Sequence, residues 1–323
     1  MTDWRPSSGP ESAARRAAML RRLRDHFENA SILEVETPAL SFAAASDVQI
    51  ESLEVRSVLS DQPLYLHTSP EFCMKRLLAA GYPDIYAISR VYRDGECGHR
   101  HQPEFTMVEW YRLGYQLAAI VDDALQTIAA GLGDPKLARN AVVIDYRDAF
   151  VRTLGVDPVT ATIDELAGAA EADLSLRTAL GDERDGWLDL LLSTKVAPGF
   201  LHDRLTVLQH YPASQSALAR ICPADTNVAD RFEVFIGPLE IANGYVELTD
   251  AALQAIRMES DRTTRERRGQ PLRPRDESLL AALRHGLPPC AGVAMGLERL
   301  QMVHDKTDDI RNVIPFLFED RDE

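Results

Sequence analysis

Two glutamates flank a predicted tight turn in the segment FEVFIGPLE. Glu233 and Glu240 lie symmetrically about residues 236–238. A symmetric hairpin would therefore pair them across its two strands, with Cβ atoms about 4.5–5.5 Å apart. Two carboxylates that close repel each other unless a cation lies between them, and a hard cation such as Mg²⁺ binds carboxylate oxygens. A splayed, solvated pair on an exposed face is the simpler interpretation, and from these two residues alone it stays open.

Two further glutamates occupy strand positions where a charge is unexpected. In EFTMVEWY, Glu109 shares the inward-facing positions of a half-buried strand with Tyr111. Glu247 is seven residues beyond Glu240 and would lie on the opposite face of a regular strand, but a bulge at Asn243-Gly244 would restore a common face. An acidic cavity edged by aromatic rings suits a cation such as a substrate ammonium group. A buried arginine is the alternative partner for Glu109.

Two arginines stand next to predicted turns. Arg93 ends a strand beside a polar loop, and Arg299 follows Gly296 at a predicted strand-to-helix junction in GVAMGLERL. Glycine lets a ligand approach the backbone, and a helix N-terminus favours anions. Together with metal-binding carboxylates, two such arginines suit phosphoryl or adenylyl chemistry, in which positioning and charge stabilisation dominate. Each arginine alone also fits a structural ion pair.

The elements that must position these residues alternate without a regular βαβ rhythm. The segment TSPEFCMKRLLAAG predicts a helix with Ser69 as its cap and Pro70 at its first position. Residues 131–205 predict mostly short helices and loops. The order of strands and helices predicts an α+β fold with a mainly antiparallel sheet flanked by helices. We expect residues 1–323 to form a single domain.

Composition and charge limit the classes of function. A net charge of −15, from 50 acidic and 35 basic residues, argues against a large nucleic-acid surface. The four cysteines form no CxxC pair, so neither a zinc knuckle nor a disulfide framework is predicted, and isolated cysteines fit a reducing cytosol. The N-terminus has no apolar run typical of a signal peptide, and no segment predicts a membrane span. We therefore expect a cytoplasmic protein with no membrane partner.

Several linked segments resemble a known enzyme class. LEVETP, VYRDGECGHRHQPEFTMVEWY and GVAMGLERL are similar to motifs 1, 2 and 3 of class II aminoacyl-tRNA synthetases. TSPEF, HQPEFTMVEWY and RFEVFIGPLEIANGYVEL resemble the lysyl-tRNA synthetase catalytic core in particular. Because the motif 1 helix starts near residue 11, the N-terminal anticodon-binding OB domain of those enzymes is not expected. A stand-alone core of this kind resembles the elongation factor P β-lysine ligase family, and Ala294 supports this, since lysyl-tRNA synthetases usually have glycine there.

The resemblance implies a reaction and its partners. Members of this family activate (R)-β-lysine, or lysine, with ATP as an aminoacyl-adenylate. They then transfer it to a lysine ε-amine of elongation factor P. ATP and Mg²⁺ are therefore the implied cofactors, elongation factor P is the implied protein substrate, and no tRNA is expected. Motif 1 builds the dimer interface in class II enzymes, so a homodimer is also implied.

The resemblance in these motifs implies roles for individual residues. Arg93 and Arg299 are the implied catalytic residues at the phosphates of ATP. The implied ATP-binding residues are Arg93, Asp94, Gly95, Glu96, His101, Gln102, Phe105, Glu240, Ile241, Gly296 and Arg299. The implied amino-acid contacts are Ser69, Pro70 and Glu71 at the backbone-end amine, Glu109, Tyr111 and Glu247 at the distal ammonium, and Ala294 at the wall of the amino-acid pocket. The implied metal ligands are Glu233 and Glu240.

Motif 2 departs from the family at one position. The family usually reads Arg-Asn-Glu, whereas this chain reads Arg93-Asp94-Gly95 with Glu96 next. Either Glu96 or the backbone at Gly95 would then make the contact of the missing glutamate. Two other functions stay open. One is a truncated lysyl-tRNA synthetase-like enzyme with another acceptor, and the other is a catalytically silent regulatory paralogue. The sequence names neither the preferred lysine isomer, nor the docking mode of the acceptor, nor a general base.

Overall fold

The computed structural model describes residues 4–318. The α-helices are α1 Pro10–Asn29, α2 Glu71–Ala79, α3 Leu117–Leu132, α4 Lys136–Arg139, α5 Tyr146–Leu154, α6 Ile163–Ala169, α7 Leu174–Leu180, α8 Arg184–Leu191, α9 Ala251–Arg267, α10 Glu277–Gly286 and α11 Leu297–Asp305. The strands are β1 Leu33–Glu34, β2 Leu40–Ser41, β3 Glu54–Ser57, β4 Ser60–Leu66, β5 Ile85–Tyr92, β6 Glu104–Leu113, β7 Val142–Asp145, β8 Leu205–Gln209, β9 Arg231–Ile236, β10 Leu239–Val246 and β11 Cys290–Gly296. A π-helical turn at Leu192–Val196 and 3₁₀ turns at Ala197–Gly199, Ala213–Gln215 and Ile310–Asn312 complete the list.

The described chain divides into two compact units. Unit 1 takes in the described residues up to Tyr115, residues Ala130–Gly133 and the described residues from Thr249 onward. Unit 2 takes in Gln116–Ala129 and Asp134–Leu248. No helix within residues 4–318 is both long enough and apolar enough to cross a membrane.

Unit 1 contains two groups of paired strands. Its larger group has the order β1-β5-β6-β11, in which β1 is parallel to β5 and the other pairs are antiparallel. A smaller antiparallel sheet has the order β2-β4-β3. The predicted α+β class with mainly antiparallel pairing is confirmed.

Strand β6 of unit 1 is buried on both faces. The alternating pattern of its sequence predicted a half-buried strand. One face carries Trp110, whose ring lies 5.6 Å from the ring of Phe27 on α1. The other face carries Tyr111, which joins an apolar cluster with Met74 of α2 and Leu280 of α10. The expectation was wrong because helices cover both sides of the strand.

Unit 2 contains the strand order β10-β9-β8-β7, with only the β7–β8 pair parallel. Its core lies around stacked aromatic rings, with Tyr146 and Phe150 of α5 4.6 Å apart between centroids. Trp187 of α8 packs into the same cluster and is fully buried. The prediction of mostly short helices and loops for residues 131–205 is confirmed, and these helices supply many of the apolar side chains of this core.

The β9–β10 hairpin corrects the predicted pairing of its glutamates. Gly237 has φ of +53°, and Ile236 pairs with Leu239, so the turn has two central residues with glycine first. Glu240 consequently lies opposite Phe235 rather than opposite Glu233. Glu233 and Glu240 still share a face, because positions two apart on a strand point the same way. They are diagonal neighbours instead of direct partners.

The predicted bulge in β10 is present, but at another position. The register shifts between Glu240 and Ala242, not at Asn243-Gly244. After the shift, Asn243 lies opposite Glu233, and the alternation from there carries Glu247 to the same face. The extra residue therefore has the predicted effect on side-chain direction although it is inserted earlier in the strand.

Candidate active site

Glu109 on β6 is a buried carboxylate held by two hydroxyl groups. Ser69 donates a hydrogen bond from Oγ to Glu109 Oε2 at 2.7 Å, and Tyr111 donates from its phenolic oxygen to Oε1 at 2.7 Å. Glu109 is 2% exposed. Ser69 Oγ also accepts the backbone N–H of Glu71 at 3.0 Å, so the start of α2 fixes the serine that orients the glutamate. The structure thus brings four predicted amino-acid contacts together in unit 1.

A second carboxylate and a buried ammonium group stand next to this site. Lys75 donates from Nζ to Glu71 Oε1 at 2.6 Å, and its side chain is 3% exposed. The two residues are one helical turn apart on α2, a spacing at which side chains meet. Glu71 therefore has a fixed direction at the helix N-terminus, next to Pro70, which is the N-cap residue.

Burial raises the pKa of Glu109 to about 7, and the negative charge of Glu71 adds to the increase. The hydrogen bonds from Tyr111 and Ser69 and the charge of Lys75 act in the opposite direction. Near neutral pH this carboxyl group is therefore balanced between its protonated and ionised forms. A cation that arrives beside it would favour the ionised form.

The wall beside Glu109 is made of small residues. On β11, Ala294 lies directly opposite Glu109, and on β5 the opposite residue is Ala87. Further along β11, Gly296 lies opposite Met107, and a Cβ atom added at this glycine would approach only the side chain of Arg299, at 3.9 Å. Small neighbours on both sides leave room for a ligand along this face of β6.

The other predicted group in unit 1 surrounds Arg93. The Arg93 guanidinium lies over the ring of Phe105, with Cζ 5.1 Å from the ring centroid, and Nη1 lies 3.5 Å from Glu96 Oε1. Gly95 has φ of +77°, a conformation that residues with a side chain rarely adopt. The motif 2 departure thus has a structural reason, because the loop turns at Gly95 and directs the next carboxylate, Glu96, toward Arg93. The neighbouring Asp94 is exposed, and its N–H bonds to the Glu51 carbonyl at 2.9 Å.

The motif 3 arginine contacts the motif 2 loop. Arg299 donates from Nη2 to His101 Nε2 at 2.6 Å. Arg299 lies in the first turn of α11, whose N-cap residue is Gly296. Gln102 is buried, and its Oε1 accepts the backbone N–H of Phe318 at 2.9 Å. Two arginines and a helix N-terminus thus belong to the same unit, and such groups bind phosphate oxygens.

In unit 2, Glu233 is paired with a partly buried arginine that precedes it by two residues on β9. Arg231 donates from Nη2 to Glu233 Oε1 at 2.6 Å. The same guanidinium donates to Asn243 Oδ1 at 3.2 Å and to the Gln215 carbonyl at 2.6 Å. Its Cζ lies 4.6 Å from the ring centroid of Tyr211. The guanidinium is therefore fixed from several sides, and it holds one oxygen of Glu233.

Burial raises the pKa of Glu233 to about 7, and the negative charge of Glu240 raises it further against the opposing charge of Arg231. The strand register explains this repulsion, because Glu240 lies opposite Phe235 and is therefore a diagonal neighbour of Glu233 on the same face. Two oxygen-donor groups that repel each other on one face are a donor set that Mg²⁺ accepts. The pair therefore fits the predicted metal ligands.

The remaining predicted residues of unit 2 lie on or just after β10. Ile241 is buried within the bulge, beside Glu240. Glu247 follows the end of the strand, forms a bridge to Ala219, and is 3% exposed. Glu247 therefore does not belong to a solvated surface.

Three residues of these sites were missed by the sequence analysis. They are Lys75, Tyr211 and Arg231. Lys75 follows Glu71 by four residues in a predicted helix, and Arg231 shares strand parity with Glu233, so both spacings were available as signals. Tyr211 comes from another segment of the chain, and only the folded structure brings it to the guanidinium.

Comparisons with known proteins identify the family of this chain. A family model described as tRNA synthetases class II (D, K and N) matches residues 2–319. A protein of Hamiltonella defensa subsp. Acyrthosiphon pisum (strain 5AT), named elongation factor P–(R)-β-lysine ligase, is 40% identical over 322 residues and 97% of each chain. Proteins with the same name from Pseudoalteromonas translucida (strain TAC 125) and Klebsiella pneumoniae (strain 342) are 41% identical over 321 residues and 97% of each chain. The chain therefore belongs to the elongation factor P–(R)-β-lysine ligase family of class II tRNA synthetase-like enzymes.

Proposed function

We propose that this protein is an ATP-dependent ligase that activates (R)-β-lysine, or lysine, and attaches it to a lysine side chain of elongation factor P. The names of its relatives support the substrate and the protein acceptor. The single observation that carries the proposal is the buried carboxylate of Glu109, which accepts hydrogen bonds from the hydroxyl groups of Ser69 and Tyr111 and has a pKa of about 7. Such a group pairs favourably with a substrate ammonium.

In this proposal unit 1 binds the amino acid. Glu109 and Tyr111 receive the distal ammonium, while Ser69 and Glu71 meet the amine next to the reacting carboxylate. Lys75 keeps the Glu71 carboxylate in place, as their 2.6 Å contact supports. The methyl group of Ala294, opposite Glu109, limits the space beside the ammonium. In unit 2, Glu247 stays a predicted contact of the distal ammonium.

The arginines of unit 1 act on the phosphates of ATP. Arg93 holds the α-phosphate and Phe105 stacks on adenine, while Arg299 contacts the γ-phosphate. Oriented charges of this kind stabilise the charge that develops at phosphorus, and removing one costs about 3–4 kcal/mol of transition-state stabilisation. Asp94, Gly95, Glu96, His101, Gln102, Ile241 and Gly296 are the other proposed nucleotide contacts.

Glu233 and Glu240 would hold Mg²⁺ in unit 2. When bound, the ion neutralises negative charge on the phosphate oxygens and on the leaving pyrophosphate. The contribution of the protein is to orient the ligands. Arg231 fixes one oxygen of Glu233 and leaves the second oxygen for the ion. Ion binding would also favour ionisation of the carboxyl group whose pKa is about 7.

The reaction has two steps. A carboxylate oxygen of the amino acid attacks the α-phosphorus, the bond to the β-phosphate bridging oxygen breaks, and pyrophosphate leaves. The lysine ε-amine of elongation factor P then attacks the carbonyl carbon of the adenylate, the bond to AMP breaks, and the amine nitrogen loses a proton. The attacking amine must be neutral, and we assign no residue as its base.

Pyrophosphate exchange tests the proposal. Purified protein, ATP, Mg²⁺ and labelled pyrophosphate are incubated with each enantiomer of α- and β-lysine. We expect exchange that depends on the amino acid and is strongest with a β-lysine, followed by a mass increase of elongation factor P when that protein is added. The mass increase should be that of one β-lysyl group.

Each alternative has its own result in this assay. Exchange with α-lysine far above β-lysine, together with charging of tRNA, would support a truncated lysyl-tRNA synthetase-like enzyme. The absence of exchange with every isomer would support a silent paralogue, for which Gly95 is the sequence hint. Gly95 with Glu96 directed at Arg93 favours the active enzyme over the silent one, because a carboxylate is kept in the loop.

Four further expectations from the sequence stay predictions. They are the homodimer, the independence from tRNA, the cytoplasmic location and the single catalytic domain. Light scattering of the purified protein measures the first. A filter-binding assay with tRNA measures the second.

A further inference from the structure

We propose that His210, Cys222 and Asp230 of unit 2 form a zinc-binding site, separate from the carboxylates assigned to magnesium. The ligand atoms of these three side chains all lie within 4.8 Å of one another. Cys222 and Asp230 are buried and His210 is partly buried. A tetrahedral zinc ion keeps such donors about 3.5 Å apart, so a bound ion would draw the side chains only slightly together.

The three residues come from three backbone segments that are hydrogen-bonded to one another. The N–H of His210 bonds to the carbonyl of Arg231 at 2.9 Å, one residue from Asp230. The N–H of Asp230 bonds to the carbonyl of Arg220, and the N–H of Cys222 bonds to the carbonyl of Val228, both at 2.9 Å. The donor atoms are therefore mounted on a fixed framework rather than on independent loops.

A second observation concerns the imidazole of His210. Its Nδ1 lies 2.9 Å from Oδ1 of Asp145, and the same oxygen accepts a hydrogen bond from Gln209 Nε2 at 2.9 Å. A carboxylate only accepts hydrogen bonds, so Nδ1 carries a proton, and Nε2 is the nitrogen that can bind an ion when the imidazole is neutral. Histidines that bind metals usually donate their other nitrogen to a carboxylate in this way.

The carboxylate of Asp230 is oriented in a comparable manner. Its Oδ2 accepts two hydrogen bonds from Arg220, from Nε at 3.0 Å and from Nη2 at 2.5 Å. Both bonds use the same oxygen, which leaves Oδ1 for an ion. Arg220 Nη2 also donates to Gln116 Oε1 at 2.9 Å. This second partner helps to fix the orientation of the guanidinium that holds Asp230 Oδ2.

The types of ligand atom in this cluster indicate which metal ion it would bind. One sulfur, one imidazole nitrogen and one carboxylate oxygen suit Zn²⁺, whereas Mg²⁺ prefers oxygen ligands alone. A thiolate and a carboxylate together balance the two charges of the ion. Three protein ligands leave one position for water.

A metal ion at this site would restrict the position of the first residues of β9. Asp230 directly precedes Arg231, which orients Glu233. An ion bound at Asp230 would fix the residue next to this arginine. Through its three ligands, a bound zinc ion would hold this end of β9 in place.

The experiment measures metal content and uses the full chain without an affinity tag. Protein is incubated with zinc chloride, dialysed, and analysed by mass spectrometry of the metal. We expect one zinc per chain in the unchanged protein and a loss of most of it in Cys222→Ser and Asp230→Asn. Cys97→Ser, which changes an exposed cysteine of unit 1, is the matched control and should retain one zinc.

Three further measurements separate metal binding from folding. Cobalt substitution should give a sulfur-to-cobalt charge-transfer band in the unchanged protein and in Cys97→Ser but not in Cys222→Ser. Asp145→Asn keeps all three ligands and should weaken zinc binding about 10- to 100-fold, as loss of a partner of a ligating histidine does. Circular dichroism without zinc confirms that each variant is folded.

Several outcomes overturn the proposal. They are the absence of retained zinc in the unchanged protein, equal zinc in Cys222→Ser, or an unchanged affinity in Asp145→Asn.

Discussion

Glu109 in unit 1 and Glu233 in unit 2 are built in parallel ways. Each is a buried carboxylate on a strand, and burial is the main reason that each pKa rises to about 7. Each has a second glutamate nearby, Glu71 or Glu240, whose charge raises the pKa further. In each unit a tyrosine hydroxyl opposes this increase.

The two sites differ in where the neighbouring cation is bound. Arg231 binds Glu233 directly, whereas Lys75 binds Glu71, and the hydroxyls of Ser69 and Tyr111 donate hydrogen bonds to Glu109. A guanidinium is permanently charged and holds one oxygen in a fixed direction. Hydroxyl groups orient Glu109 without neutralising it. Glu233 is thus prepared for an ion that needs one defined oxygen, and Glu109 for a ligand that brings its own charge.

The largest expected effect concerns Glu109→Gln. The substrate ammonium would lose its buried anionic partner, a change that costs about 2–5 kcal/mol. We expect the KM for the amino acid in the exchange assay to rise about 100-fold while the KM for ATP stays nearly constant. Glu104→Gln, an exposed glutamate on the same strand, is the control and should change neither value. Equal losses for ATP and amino acid would contradict the assignment.

The second effect concerns the stability of the same variant. Glu109→Gln should weaken substrate binding but stabilise the fold. A carboxyl group with a usual pKa of 4.5 and a folded pKa of about 7 stays protonated in the fold while the unfolded chain ionises. Stability is therefore lost as the pH rises through this window, by about 3 kcal/mol at pH 8. We expect Glu109→Gln without ligand to unfold at higher urea concentration than the unchanged protein at pH 8, with a much smaller difference at pH 4.5. A variant less stable than the unchanged protein at pH 8 would show that Glu109 is not strained by burial.

The third effect concerns Glu233→Gln. This change removes one charged metal ligand, so the Mg²⁺ concentration for half-maximal exchange should increase about tenfold. The KM for the amino acid, measured at saturating Mg²⁺, should stay within twofold. Glu171→Gln, at an exposed position of unit 2, is the matched control. A large change in the amino-acid KM would mean that the two carboxylates do not have separate tasks.

The smallest effect is a dependence on pH. The substrate ammonium pairs with ionised Glu109, whose pKa is about 7, so the amino-acid KM should fall several-fold between pH 6 and pH 8. In Glu109→Gln this slope should be absent. An unchanged slope in the variant would assign the titration to another group.

The sequence predicted the strands that carry the carboxylates because apolar periodicity and turn residues are local signals. It also predicted that an extra residue in β10 would bring Glu247 to the face of Glu233. It misjudged the pairing of Glu233 with Glu240, because a glycine with positive φ moved the turn by one residue. Burial of both faces of β6 was missed because helices distant in sequence cover it.

The partner cations show a second limit of sequence reasoning. Lys75 and Arg231 stand at spacings that bring them to their glutamates, but the same spacings are common on solvated surfaces. Only burial distinguishes the two cases, and burial depends on the whole fold. The cluster of His210, Cys222 and Asp230 was invisible for the same reason, since its members are separated by 12 and 8 positions without a recognisable motif.

Strand β6 is hydrogen-bonded on both sides, to β5 and to β11, along the stretch that contains Glu109. Backbone amides in such interior strands exchange with solvent only when a large part of the structure opens. The backbone that carries Glu109 therefore does not move locally to fit a substrate of another shape. The rigid sheet therefore sets the substrate selectivity at Glu109. Changing that selectivity would require substitution of the residues around Glu109 rather than movement of Glu109 itself.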